Sequence, residues 1–301
     1  MKKVSLSLLS VLLLVLTTAC TQVPTVSNAD TAQGTEVTKT LLWEITGNGL
    51  EQPSFIFGTI HIICEEDFLM TDVMKRSFDK TEQLVLEIDM DDQSAMAEVQ
   101  QKMMDLKGID YKGKMDGGVY KKLDSLLVAN VGMGMQVGRM MKPIALMSVA
   151  YLSLLDCGEP TGYEEEFMKL SKEAEMEVLG LETGLSQLAI FDDIPLEEQI
   201  GWINELLAES GEAKQQFEEM TRVFLEQDVE ALYDSYKDYP EYEKYEDALL
   251  TNRNNDWIPK IEAMAKEKPS FFAVGAMHLG GENGVLKLLR DKGYTVKGVI
   301  K

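Results

Sequence analysis

Basic residues are scarce in this chain. Lysine and arginine number 29 against 51 aspartates and glutamates, for a formal net charge of −22. Such a chain has no basic surface to displace phosphate counterions, so nucleic acid is excluded as an expected partner. Histidine is scarcer still, with two in 301 residues. Any chemistry that rests on imidazole must therefore use His61, His278 or both. Cysteine numbers three, at Cys20, Cys64 and Cys157. Long apolar runs are missing too: the stretch 4–16 is too short to read as a spanning helix. What is present is ample apolar material, 45% of the residues, enough for one large α/β domain or two small ones.

The first residues are expected to be an address rather than structure. Lys2 and Lys3 precede the apolar run, and Leu16-Thr17-Thr18-Ala19 leads into Cys20. Small residues before a cysteine resemble a bacterial lipoprotein signal. Residues 1–19 are then removed and Cys20 carries lipid. Residues 20–39 are polar, rich in threonine and without periodicity, which suits a tether from lipid to domain. The expected location is the bacterial cell envelope, anchored to a membrane and facing away from the cytoplasm. The domain is expected over 40–301. Oxidising surroundings make a Cys64–Cys157 disulfide the expected state, with two buried thiols as the alternative.

Two stretches organise the rest, and they are nearly the same stretch. Ser54-Phe55-Ile56-Phe57-Gly58-Thr59-Ile60-His61 lies near the front and Phe271-Phe272-Ala273-Val274-Gly275-Ala276-Met277-His278 near the end. Each is a short apolar run of strand type followed by Gly-x-x-His, and together they use both histidines. A lone histidine after a strand is usually a satisfied, partly buried side chain. The repetition favours a shared site, since neutral imidazole is a common metal ligand and general base.

Strands are expected at 41–45 and 55–58, joined through Asn48-Gly49 as a hairpin, and at 83–88, 177–182, 271–274 and 294–300. The run 83–88 is mostly apolar and is expected at the sheet's centre. Helical pattern fills 67–80, an insert at about 94–175, and a run at about 195–266. Gly132 to Gly138, rich in methionine, interrupts the insert as a connection with an adaptable apolar surface. Tyr233, Tyr236, Tyr239, Tyr242 and Tyr245 recur every third residue, as in a helix seam. The segment 271–300 is expected to form one βαβ unit. The fold class is α/β, a mixed sheet built from both ends of the chain with a large helical insert.

If the strands are parallel neighbours, their ends bring His61, Glu87, Glu182 and His278 to one edge, where α/β sheets bind ligands. Two histidines and a carboxylate leave coordination positions open, as in catalytic zinc and iron sites. The same residues also serve without metal, with histidine as base, carboxylate as orienter and Arg253 as an oxyanion clamp. On the residues alone a surface ion pair is the favoured reading of Arg253.

Gly58-Thr59-Ile60-His61, Leu86-Glu87-Ile88-Asp89, Gly180-Leu181-Glu182-Thr183 with Gln187, Arg253-Asn254 and Val274-Gly275-Ala276-Met277-His278 with Gly281-Glu282-Asn283-Gly284-Val285 resemble, in order and spacing, the TraB/GumN family. That family includes PrgY and the animal TIKI proteases, and the resemblance covers about 40–301. It implies a fold related to the erythromycin-esterase and ChaN-like proteins. It also implies a metal-dependent peptidase acting on a peptide or exported protein, with His61, Glu87 and His278 holding a divalent ion such as Mn, Co or Zn. Arg253 matches the family's arginine beside the site, with Glu182 and Asn254 as substrate contacts. Met277 stands where many relatives carry a small residue, which narrows the expected pocket. The resemblance to ChaN-like proteins leaves a second class open: a lipoprotein that binds a peptide, iron or haem in the same crevice without turnover.

Overall fold

The structure, a computed structural model, describes residues 39–155, 157, 160–236 and 244–300. The expected signal, the lipid site at Cys20, nearly all of the tether, and Tyr239 and Tyr242 lie outside the described residues. Among the described residues no helix is long and apolar enough to cross a membrane.

Six strands form one mixed sheet in the order β6-β4-β7-β2-β1-β8. They are β1 (Leu42–Thr46), β2 (Ser54–Thr59), β4 (Gln83–Ile88), β6 (Glu177–Glu182), β7 (Ser270–Gly275) and β8 (Thr295–Gly298). β6, β4, β7 and β2 run parallel, while β1 is antiparallel to both of its neighbours. Every residue of β2 and β4 is buried, as their unbroken apolar runs require of strands covered on both faces. Phe57, Phe78, Phe167 and Phe271 pack together between the sheet and the helices Asp72–Phe78 and Tyr163–Glu173, with Phe167 and Phe271 centroids 4.7 Å apart. The helices Asn252–Glu267 and Val285–Asp291 carry Trp257, Ile258, Ile261, Leu286 and Leu289 into the same core.

The expected β1–β2 hairpin and the central place of β4 are both present. The βαβ reading of the C-terminus needs adjustment. β8 is parallel to β7 but pairs with β1, so β2 and β1 lie between the two. The short edge strand completes the sheet beside β1 rather than beside the strand that precedes it in sequence. The helix expected over 67–80 is shorter, because the Thr71 hydroxyl caps it by accepting from the Met74 amide at 3.2 Å.

The helical insert, with the helices Gly184–Asp192 and Leu196–Ala208, builds a second core from Leu123, Leu127, Leu146, Leu188, Trp202 and Ile203. Its centre is the helix Pro143–Leu152, buried at nearly every position, as a helix apolar on all sides must be. In the methionine-rich connection, Met135 is in this core and Met133 at the surface, so it forms a helix–helix joint. Tyr245 packs edge-on against Trp202 and Tyr233 donates to Glu246 at 2.6 Å, both consistent with a helix seam.

Two pairs that periodicity could not reveal tie the insert to the sheet. The two-residue strands β3 (Ile63–Cys64) and β5 (Pro160–Thr161) run antiparallel. Cys64 and Cys157 lie at disulfide distance beside them, Cα atoms 5.8 Å apart across 93 residues of sequence. Replacing both cysteines by serine is expected to lower stability by about 2–4 kcal/mol, since the bridge removes loop entropy from the unfolded chain. The urea midpoint of oxidised protein measures this. An unchanged midpoint would mean that the thiols are not paired.

Candidate functional site

The two Gly-x-x-His segments converge because β2 and β7 are parallel neighbours in register, Gly58 opposite Val274 and Thr59 opposite Gly275. Both histidines therefore leave the same edge of the sheet. The first glycine is required by close approach: a Cβ at Gly58 would sit 2.9 Å from the Ala276 Cα. At Gly275 a Cβ would stand 3.2 Å from Glu87 Oε1 and 3.8 Å from His61 Nε2. Its absence lets the backbone amide of Gly275 donate to Glu87 Oε1 at 2.8 Å.

Glu87, at the end of β4, is the hub. Besides the Gly275 amide, it accepts from Arg253 Nη2 at 2.6 Å and from Gln187 Nε2 at 3.0 Å. Its Oε1 lies 3.8 Å from His278 Nε2. Burial alone would raise its pKa, but Arg253, the two histidines and the Gly275 amide together outweigh burial and hold the carboxyl well below the usual carboxylate range.

Arg253 is not the surface ion pair its sequence position allowed. It is 5% exposed, and all five guanidinium N–H donors have partners. Nε and Nη2 reach Glu182 Oε1 at 2.8 and 2.5 Å, Nη2 also reaches Glu87, and Nη1 donates to the Leu249 carbonyl at 2.8 Å and to His278 Nε2 at 3.0 Å. The π-helical turn Asp247–Thr251, a geometry frequent at functional sites, places that carbonyl. No donor remains for a substrate oxyanion, so the oxyanion clamp expected of Arg253 has no free N–H to work with. The residue orients two carboxylates and one imidazole instead.

His278 is 2% exposed and lies against the Trp257 ring with centroids 4.3 Å apart. Asn254 Nδ2 donates to the carbonyls of His278 and Asn283, which turns its Oδ1 toward His278 Nδ1 at 2.6 Å. Nδ1 thus carries the proton and Nε2 is the acceptor. Burial and the Arg253 charge hold this imidazole neutral, its pKa lowered to about 3. The sequence suggested Asn254 and Glu182 as substrate contacts. Here Asn254 is engaged with His278 and Asn283, and Glu182 with Arg253 and Gln187.

His61 is the more open histidine, its side chain 19% exposed. Its Nδ1 pairs with Glu164 Oε1 at 2.8 Å, and Thr59 Oγ1 donates to the same oxygen at 2.5 Å. Burial alone would push the imidazolium pKa down, but the charge and hydrogen bond of Glu164 raise it to about 9. Glu164 is the site residue that sequence reasoning missed. It is the first of three consecutive glutamates, and alone among Glu164, Glu165 and Glu166 it is buried. Its spacing from Phe167, one helical turn on, was the available signal.

Met277 turns away from the site and packs against Phe217, Met220, Tyr233 and Leu250. It does not line the cavity that His61 and Glu87 open into, so it does not narrow it.

Two imidazoles and a carboxylate are suitable donors for a divalent cation. Glu164 and Asn254 fix each ring from its Nδ1 side, as partners of metal-bound histidines commonly do. Among the described residues no three such side chains already stand in ligand geometry. Arg253 stands in the way at His278, and a cation bound to that Nε2 would replace one of five guanidinium hydrogen bonds. The donor set fits on those terms.

The profile of the TraB/PrgY/gumN family matches residues 41–298, so the match includes every residue placed in the site. No curated protein and no solved structure matches the chain. This chain belongs to the TraB/PrgY/gumN family.

Proposed function

We propose that this protein is a hydrolase of peptide bonds, working at the crevice where His61, Glu87 and His278 meet. The observation that carries the reading is the convergence of both Gly-x-x-His ends on one buried, ionised carboxylate held by an arginine, an amide side chain and a backbone N–H. Such orientation of a carboxylate beside two differently tuned imidazoles is the arrangement of a site built around activated water. His61, Glu87 and His278 would hold a divalent ion, Mn, Co or Zn. When bound there it would lower the pKa of a water and polarise a peptide carbonyl.

The protein's own residues supply the preorganisation. Glu164 and Thr59 fix the His61 ring with Nε2 away from Glu164, where a bound cation would take the place of the proton that nitrogen carries at neutral pH. Asn254 orients the His278 ring from its Nδ1 side, leaving Nε2 to accept from Arg253 Nη1. Arg253 and Gln187 fix Glu87 and tie it to Glu182. The apolar wall beside Glu87 limits bulk water at the reacting centre. Residues 1–20 support a lipid-anchored location in the bacterial cell envelope, where the substrate would be a peptide or an exported protein.

Metal content tests the cofactor. Protein purified without a metal-binding tag or chelator is expected to carry stoichiometric Mn, Co or Zn by mass spectrometry. Chelation is expected to remove peptide turnover, and the returned ion to restore it. Metal-free protein that neither gains thermal stability from these ions nor changes its turnover would overturn the metal assignment.

A further inference from the structure

The cavity that Glu87 and His61 face has a marked chemical character. Its enclosed space is small, about 50 Å3, within about 610 Å3 that counts the open space at its mouth, and its lining is predominantly apolar. Leu86 and Ile88 of β4 form one wall, and Val99, Ile144, Leu188 and Phe191 of the helical lobe form the opposite one. Met90 and Met103 complete it. The cavity thus lies at the seam between the sheet core and the helical core.

Local chain geometry sets how closely the helices meet along this seam. Gly184 opens the helix Gly184–Asp192, and a Cβ there would stand 2.5 Å from Val99 Cγ2. The helix Gln93–Lys102 and the helix Gly184–Asp192 therefore approach closely at their base while Leu188 and Phe191, a turn and more beyond, face the cavity. Gln187, on the same helix, turns instead to Glu87 and Glu182. One helix presents a polar side chain to the reacting centre and apolar ones to the pocket beside it. The same cavity has one uncommitted acceptor. Glu164 lines it, and Glu164 Oε2 is buried without a hydrogen-bond partner among the described residues. A buried carboxylate oxygen left in that state costs free energy unless a ligand donor reaches it.

We propose that this cavity is a specificity subsite, and that it takes the tip of an apolar side chain, leucine, methionine or phenylalanine, entering from the open mouth as Met90 and Met103 give way, next to the bond cleaved at Glu87. The substrate class is then peptides with an aliphatic or aromatic residue beside the scissile bond, and Glu164 Oε2 accepts from a backbone N–H of the bound peptide. The two methionines give the subsite tolerance among these three shapes, because a thioether chain re-packs at little cost. An acidic side chain is rejected, since Glu87 and Glu164 in the lining repel it and burial would strip its water. This subsite rests on the hydrolase reading for its catalytic consequence, though not for binding.

Two measurements separate the subsite from the hydrolase reading. The first is a digest of peptides identical except at one position, where Leu, Met, Phe, Asp or Lys stands, by wild type and by Met90→Arg. The second follows the methyl signals of Met90 and Met103 by NMR as N-acetyl-leucinamide or N-acetyl-aspartamide is added. Wild type is expected to cleave beside Leu, Met or Phe at least about tenfold faster than beside Asp, with Lys in between because Glu164 Oε2 can accept from its ammonium. Met90→Arg is expected to shift the preference toward Asp, and only the leucine compound to move both methyl signals. Met103→Trp, at a half-buried position, is a second variant should Met90→Arg not fold, and is expected to lose Phe before Leu. Cleavage with no side-chain preference and unmoved methyl signals would overturn the subsite and leave the hydrolase standing. Methyl shifts with the leucine compound but no cleavage of any peptide would sustain the subsite and overturn the hydrolase.

Discussion

His61→Ala is expected to reduce peptide turnover by on the order of a thousandfold while the protein remains folded. The loss follows from position. His61 is the one imidazole of the site that reaches solvent, and Glu164 and Thr59 hold its ring with Nε2 away from Glu164. His278 cannot replace it, because that ring is sealed behind Glu87 with its Nε2 against Arg253. The fold survives because β2 ends at Thr59, before the histidine, and alanine leaves Glu164 still bonded to Thr59. The stability cost is that of one hydrogen-bonded charge, about 1–3 kcal/mol. Turnover of defined peptides, with circular dichroism and thermal melts as the fold control, reads both effects. Near-normal turnover by the folded variant would remove His61 from the reacting centre.

Arg253→Met is expected to lower stability by about 3–5 kcal/mol, the largest structural effect in the site. The guanidinium is 5% exposed and neutralises two carboxylates that are themselves nearly sealed, with side-chain exposures of 8% and 10%. Methionine has the length to fill the space, so packing is largely kept. What remains is Glu87 and Glu182 buried side by side without a cation. The sign of the pH dependence follows. Glu87 has a folded pKa below its ordinary value of 4.5, so its contribution to stability is present above that value and is lost as pH falls below it. In the variant, burial without Arg253 favours the protonated acid. The deficit is therefore largest at neutral pH and narrows as pH falls through about 4.5. Adding Glu87→Gln and Glu182→Gln to Arg253→Met is expected to recover part of the loss, since the unpaired charges are then gone. Urea titrations at several pH values supply the numbers. A loss under about 1 kcal/mol with no pH dependence would show an arginine that behaves as an exposed ion pair.

The sheet was legible in the sequence where burial forces composition. β2, β4 and β7 lie inside the sheet, so their runs are apolar without alternation, and the two Gly-x-x-His ends marked where the chain leaves them. Strand order was less legible, because β8 carries the same kind of short pattern whether it pairs with β7 or with β1. β3 and β5 are two residues each and have no period to detect. Glu87 and both histidines were readable from motif position. Glu164 was not, since three adjacent glutamates differ only in which one the helix turns inward. The part played by Arg253 was also hidden, because sequence shows that a guanidinium is present but not how many of its five donors are already engaged. The same holds for Asn254, whose amide orientation follows from the carbonyls of His278 and Asn283.

Hydrolysis at Glu87 is tested most directly by isotope. A peptide library incubated with the wild-type protein in oxygen-18 water, and read by mass spectrometry, should yield new C-termini carrying the heavy oxygen, because the attacking water becomes part of the new carboxylate. Glu87→Gln, which removes the charge while keeping the side chain's shape, should yield none above background. Unlabelled termini, equal labelling by the variant, or tight peptide binding with no new termini even after Mn, Co and Zn are supplied, would contradict a hydrolytic centre built on His61, Glu87 and His278.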